Sequence, residues 1–223
     1  MIQIPLIPSN IQAILWDMDG VLVNSEELWE DLYPDFLKDE FGVDNFRKSD
    51  FQLIIGKSIP AIYASLCEED EVLKKITVDD FVRAEKSVGH QNIYPRTVMY
   101  DGCRKFLEDC KAQGLKMGIV SSSPMEWIES CLERHDLSDY FEILVSGYQE
   151  NLSKPDPEIY LRGAKRIDVD PGNCLVIEDS PSGVVAGKGA GMTVWGFRNG
   201  SNDDADLRLA DRGFREFMID IFS

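Results

Sequence analysis

Five short apolar runs divide the chain, at residues 13–16, 116–120, 142–145, 174–177 and 193–197, and each stops abruptly at polar residues. Short runs rich in Ile, Leu and Val, without polar alternation, are the pattern of strands buried on both faces. Between the runs the spacing becomes helical. Residues 102–113 set Phe106, Leu107 and Cys110 on one side and meet Gly114, a helix-ending residue. Residues 124–135 open on Pro124, which suits a first helical turn, and 157–167 and 182–190 read as two further helices. Strands that alternate with helices predict the α/β class: a Rossmann-like parallel sheet with helices on both faces.

Residues 25–94 break the alternation. They hold helical stretches at 26–41, 59–66 and 78–88 and no strand pattern. We read them as an inserted α-helical domain, with residues 1–24 and 95–223 forming the core. Its hinges are expected near Asn24 and within "IYPRTVMYDG".

The totals narrow the function. The chain has 223 residues, enough for one large domain or for a core with a smaller companion. Hydrophobic residues make up 43% and charged residues 28%, an ordinary globular balance. A formal net charge of −17 argues against nucleic acid and anionic membranes as partners, because both need a basic surface. It leaves room for a small anionic substrate, since a few local cations outweigh a distant field screened by salt. The five cysteines form no C-x-x-C pair, so free thiols in a reducing cytosol are expected. The opening "MIQIPLIPSN" lacks a basic region and is not read as a signal peptide, and no run reaches membrane-spanning length. The expectation is a cytoplasmic monomer.

Ligands of an open parallel sheet bind beyond the carboxyl ends of its strands. The first strand ends in Asp17-Met18-Asp19-Gly20, the second in Ser121-Ser122-Ser123, and the fourth in Glu178-Asp179-Ser180. A loop before the fourth carries Lys154 between Ser153 and Pro155. If these ends adjoin, four carboxylates meet one lysine. A hard divalent cation such as Mg²⁺ resolves the repulsion. Lys154 and the amides around Ser122 and Ser123, which open a helix, then form an anion cradle. Each residue also has a plainer reading. Asp before Gly is common in turns, a lone lysine is commonly solvated, and Ser180 suits a helix cap. Trp29 and Tyr33 lie four apart, which is usual for a packed helix face.

The segments "DMDGVLVNSE", "GIVSSS", "KPDPEIY" and "LVIEDSPSGVVAGKGAGM", in that order, resemble the haloacid-dehalogenase superfamily of phosphohydrolases. Within it, the resemblance is to the β-phosphoglucomutase-like and sugar-phosphate phosphatase group. The resemblance implies that Asp17 is a nucleophile taking up a phosphoryl group and Asp19 a general acid and base. Ser121, Ser122 and Lys154 would bind the phosphoryl oxygens. Mg²⁺ would be held by Asp17, the Asp19 carbonyl and Asp179, with Glu178 either a ligand or an outer partner. The helical insertion would be a cap over the site, with Trp29, Tyr33 and Lys57 as candidates for reading the substrate, and Glu126 and Trp127, just past the serines, bordering the same pocket. Two positions depart from the pattern: Asn24 stands where many relatives have aspartate, and Trp29 where mutase relatives have histidine.

The function this implies is Mg²⁺-dependent hydrolysis of a small phosphate monoester, such as a sugar phosphate, through an aspartyl-phosphate. The alternatives are a phosphomutase of β-phosphoglucomutase type and an inactive module that only binds the ester. Such a module would be expected to lack Asp17, Asp19, Lys154 or Asp179, and all four are present.

Overall fold

The computed structural model describes residues 7–203 and 205–217. Most of "MIQIPLIPSN" therefore lies outside the described residues. The five expected strands are present as β1 (Ala13–Trp16), β2 (Lys116–Ser121), β3 (Ile143–Ser146), β4 (Cys174–Glu178) and β5 (Thr193–Phe197). A sixth, β6 (Arg212–Phe214), pairs with β5. It holds a single buried apolar residue, Phe214, so it carries no run for the apolar pattern to reveal. Phe214 earns the strand its place by packing on Trp195 and Phe197.

All pairings are parallel, and the order is β3-β2-β1-β4-β5-β6. Alternate residues of the central strands feed opposite faces, as a pleated strand requires. Ile14, Trp16, Leu175 and Ile177 join one buried cluster, and Ala13, Leu15, Cys174 and Val176 the other.

The helical segment follows β1. It comprises α1 (Ser25–Phe41), α2 (Ile59–Glu69) and α3 (Val78–Val88), joined by 3-10 turns and without a strand. Gly42 ends α1 with a positive φ of 73°, and Thr77 caps α3 by accepting from the Asp80 amide. A π-turn (Gly89–Ile93) and a 3-10 turn (Tyr94–Arg96) then lead back to the sheet. The way out and the way back run side by side. The Asn24 amide donates to the Val98 carbonyl at 3.1 Å, and the Val98 amide to Asn24 Oδ1 at 2.8 Å.

The remaining helices are α4 (Cys103–Ala112), α5 (Met125–Arg134), α6 (Gly147–Glu150), α7 (Glu158–Ile167) and α8 (Pro181–Gly189). Phe106 and Leu107 of α4 and Ile128 of α5 pack on one face of the sheet, and Tyr160 and Ala164 of α7 and Val184 of α8 on the other. The fold is thus a Rossmann-like α/β sheet with a helical insertion. The cysteines are free, and four of them are buried. Among the described residues no helix is long and apolar enough to cross a membrane.

Candidate active site

β1 lies between β2 and β4, with Trp16 in register with Ile119 and Ile177. One step further lie Asp17 and Glu178, and Ser121, two steps on, ends β2 at the same edge. The Asp17 amide still donates to the Ile177 carbonyl at 3.0 Å, so its backbone is held as strand while its carboxylate leaves the sheet.

Lys154 reaches in from the loop between α6 and α7 and is only 4% exposed. Its Nζ lies 2.5 Å from Asp17 Oδ1 and 2.5 Å from Glu178 Oε1. Glu178 is occupied on both oxygens. Oε1 also accepts from the Tyr160 hydroxyl at 2.8 Å. Oε2 accepts from the amides of Asp179 and Ser180 at 3.0 and 3.1 Å and from Ser180 Oγ at 3.0 Å. A Cβ on Gly183 would fall 1.7 Å from Glu178 Oε1, so glycine is what lets α8 start against this carboxylate. Ser180 caps α8 by accepting from the Gly183 amide, as its plainer reading expects.

The chain leaves β1 by a turn through Gly20, which has a φ of +76°. A side chain there would be strained, and its Cβ would lie 2.1 Å from Asp179 Oδ2. The turn points Asp19 at four hydroxyls. Its Oδ1 accepts from Ser25 Oγ at 2.5 Å and from the Tyr94 hydroxyl at 2.9 Å. Its Oδ2 accepts from Ser123 Oγ at 2.6 Å and from Ser121 Oγ at 3.4 Å. Ser122 Oγ donates instead to the Gly56 carbonyl at 3.3 Å, which ties this edge to the helical segment.

The electrostatics of this cluster are unbalanced. Asp17, Glu26, Glu178 and Asp179 are all buried around a single ammonium. Burial raises the Asp17 carboxyl well above the usual carboxylate range, Lys154 opposes this, and Glu178 and Asp179 reinforce it. Burial likewise raises Asp179, with Glu26 and Glu178 adding to it. Glu26 is pushed up to about 8, first by burial, with Asp179 beside it acting the other way and Asp17, Asp19 and Glu178 adding to the rise. Burial alone would lower Lys154, but Asp17 and Glu178 outweigh it and hold the ammonium charged.

Two observations fit this cluster to a divalent cation. Oxygens of Asp17, Glu178 and Asp179 lie within 4.8 Å of one another. Glu26 Oε2, buried beside them, has no hydrogen-bond partner. Hard cations take such oxygens as ligands. Asp179 is further held by Asn199, whose Nδ2 donates to its Oδ2 at 3.0 Å and to the Gly20 carbonyl at 2.9 Å. Asn202 Nδ2 donates to the Asp179 carbonyl at 2.8 Å.

Above the strand ends is a partly enclosed cavity. Asp17, Asp19, Ser121, Ser122, Ser123 and Lys154 form its floor. Trp29, Tyr33 and Lys57, the candidates for reading the substrate, line it. Trp29 and Tyr33 are also packed residues, touching each other and Phe36, so the packing reading holds alongside the lining one. Lys57 Nζ donates to Ser65 Oγ at 2.8 Å.

Glu126 is placed differently from expectation and does not line the cavity. It is partly exposed, and its Oε1 lies 2.5 Å from Lys86 Nζ on α3. One residue along a helix is a turn of about 100°, so of the two residues expected to border the pocket Trp127 faces it and Glu126 does not.

Several residues of the site escaped the sequence reading. Glu26 sits in the first turn of α1, where an acid is commonly explained by the helix dipole. Tyr94 and Tyr160 look like core aromatics. Asn199 and Asn202 follow β5, and the strand-end rule applied to that strand would have found them.

Residues 14–197 match the model of the family described as haloacid dehalogenase-like hydrolase. The chain is 33% identical over 189 residues to hexitol phosphatase B of Escherichia coli strain K12, covering 83% of this chain and 82% of that protein. It is 32% identical over 204 residues to a phosphorylated carbohydrates phosphatase of Thermotoga maritima, covering 88% and 90%. The fold matches a crystal structure of β-phosphoglucomutase from Clostridium difficile with a TM-score of 0.75, covering 93% and 92% at 23% identity.

Proposed function

Since this chain belongs to the haloacid dehalogenase-like hydrolases and is a phosphatase, we propose that it hydrolyses a small phosphate monoester, a sugar phosphate or kindred metabolite, through an aspartyl-phosphate on Asp17. The observation that carries this reading is the buried Lys154 bridging Asp17 and Glu178 at the mouth of the sheet. A lysine that neutralises a carboxylate nucleophile and the incoming phosphoryl group answers what phosphoryl transfer needs.

In the first step Asp17 Oδ attacks phosphorus and the bond to the leaving oxygen breaks, while Asp19 gives that oxygen a proton. In the second, Asp19 takes a proton from water, whose oxygen attacks phosphorus and returns Asp17 as a carboxylate. Ser121 and Lys154 hold the phosphoryl oxygens, with Ser122 beside them. Mg²⁺, held by Asp17, the Asp19 carbonyl and Asp179, would offset the charge on the cluster and on the transferring group. The hydrogen bonds on both Glu178 oxygens favour its outer role, orienting Lys154. We read residues 25–94 as a cap, hinged where Asn24 meets Val98, that excludes water during transfer.

The test is phosphate release from a panel of phosphorylated sugars, polyols and small acids, with Mg²⁺ and with chelator. Release that needs Mg²⁺ is expected, with Asp17→Asn slower by roughly 10⁴-fold or more. Transfer of the phosphoryl group between sugar positions without free phosphate would replace this reading with a mutase.

A further inference from the structure

We propose that Glu85, held by Tyr33, reads a hydroxyl of a neutral, polyhydroxylated leaving group, and so selects sugar or polyol phosphates over esters that lack hydroxyls. This rests on the phosphatase reading above and adds to it the residue that chooses the substrate.

Glu85 breaks the pattern of its own helix. In α3, positions four apart share a face, and Phe81 on that face is wholly buried. Glu85 follows on the same face, 2% exposed, where the pattern calls for a hydrophobic residue. A locally wrong residue in an otherwise consistent element points to function. The carboxyl lines the same cavity as Asp17 and Asp19. The cavity wall around it is otherwise largely apolar, with Trp29, Phe51, Ile54, Ile62 and Trp127.

A buried polar group of this kind is costly unless it is satisfied. The Tyr33 hydroxyl donates to Glu85 Oε2 at 3.1 Å, which orients the carboxyl. No cation contributes to its titration, which burial pushes up to about 8 while the Tyr33 bond acts the other way. Near neutral pH it therefore carries a proton and offers both a donor and an acceptor. A hydroxyl, itself donor and acceptor, matches that pair. An apolar leaving group would cover the pair without replacing water, and sites built around a buried polar pair discriminate strongly on that ground. An anionic leaving group would meet Glu85 above and the carboxylates of the floor below. A cationic one would need Glu85 to ionise.

The test measures kcat and KM for sorbitol 6-phosphate, hexyl phosphate and glucosamine 6-phosphate, by phosphate release, in wild type, Glu85→Gln, Glu85→Leu and Tyr33→Phe. The quantity read is the ratio of kcat/KM for the hexitol ester over the hexyl ester. Glu85→Leu is expected to lower it tenfold or more, through KM, and Tyr33→Phe by a smaller factor. Glu85→Gln, which keeps a donor and an acceptor, should hold it within about threefold. If Glu85→Leu does not fold, the other two variants decide. An unchanged ratio, or a wild-type preference for the amino sugar ester over the hexitol ester, would overturn the inference and leave the phosphatase reading standing. No phosphate release by wild type from any ester would overturn both.

Discussion

The floor and the roof of the cavity are built on opposite principles. On the floor, charge is buried densely and bonded at almost every atom. Glu178 alone accepts from Lys154, Tyr160, Ser180 Oγ and two amides. The roof is aromatic packing, Trp29 on Tyr33 and on Phe36, interrupted by one carboxyl. The floor is anchored to strand ends that the sheet cannot move apart. The roof rests on helices that reach the core through a pair of crossing segments and a few side chains. Such a division suits chemistry held constant below and recognition free to change above.

The sharpest way to break the floor is to remove its only ammonium. Lys154→Met should cut turnover by roughly 10³-fold or more and, by leaving Asp17 and Glu178 buried without a counter-charge, destabilise the fold by about 3–5 kcal/mol. Phosphate release and denaturant unfolding check the two parts. Near-wild-type turnover in this variant would mean that the floor does not work as an ion cluster.

The roof's counterpart is a dependence on pH. Burial pushes the Glu85 carboxyl up to about 8 in the folded protein, from about 4.5 for an ordinary exposed glutamate, and Tyr33 is the titratable group bonded to it. The folded state then binds the proton more tightly. Its stabilising contribution is complete below about 4.5 and is lost as pH rises towards 8. Unfolding curves of wild type and Glu85→Gln should therefore diverge across that window by roughly 4 kcal/mol, with wild type the one that weakens. Parallel curves would show that Glu85 is not buried as described.

Glu26 sharpens the border between the two regions, because it belongs to α1 yet points at Asp179. Glu26→Gln should weaken Mg²⁺ binding by about 10–100-fold, read by calorimetry on the protein without substrate. An unchanged affinity would put the cation elsewhere. The smallest effect is expected at the outer contact. Breaking the Lys86–Glu126 pair by Glu126→Ala should cost less than about 1 kcal/mol in thermal unfolding, because both side chains are partly exposed.

The same contrast explains what could be read from the chain. β1, β2 and β4 announce themselves as apolar runs, and their ends name Asp17, Ser121 and Asp179 directly, since a parallel sheet puts consecutive strand ends on one edge. Seven helices were legible from periodicity and the insertion from the missing strands, while α6, a single turn of four residues, is too short to show a period. β6 was not, because its three residues carry one apolar side chain and take their structure from β5. Glu85 was not, because its burial depends on how α3 turns against Tyr33, a contact 52 positions distant in the chain. Glu126 was misplaced for a related reason: adjacency to the serines says nothing about which way a helix residue faces. Long-range partners chosen by packing, such as Tyr94 for Asp19 or Tyr160 for Glu178, leave no local mark.

The proposed reaction turns on Asp17 taking up the phosphoryl group. The direct measurement is an acid quench of enzyme turning over a sugar phosphate with Mg²⁺, followed by borohydride trapping and peptide mapping. The expected result is homoserine in place of Asp17, the product of reducing an acyl phosphate there, absent from Asp17→Asn, which should itself be inactive. Phosphate release with no adduct on the protein, together with an Asp17→Asn enzyme that keeps more than about a tenth of the wild-type rate, would contradict it.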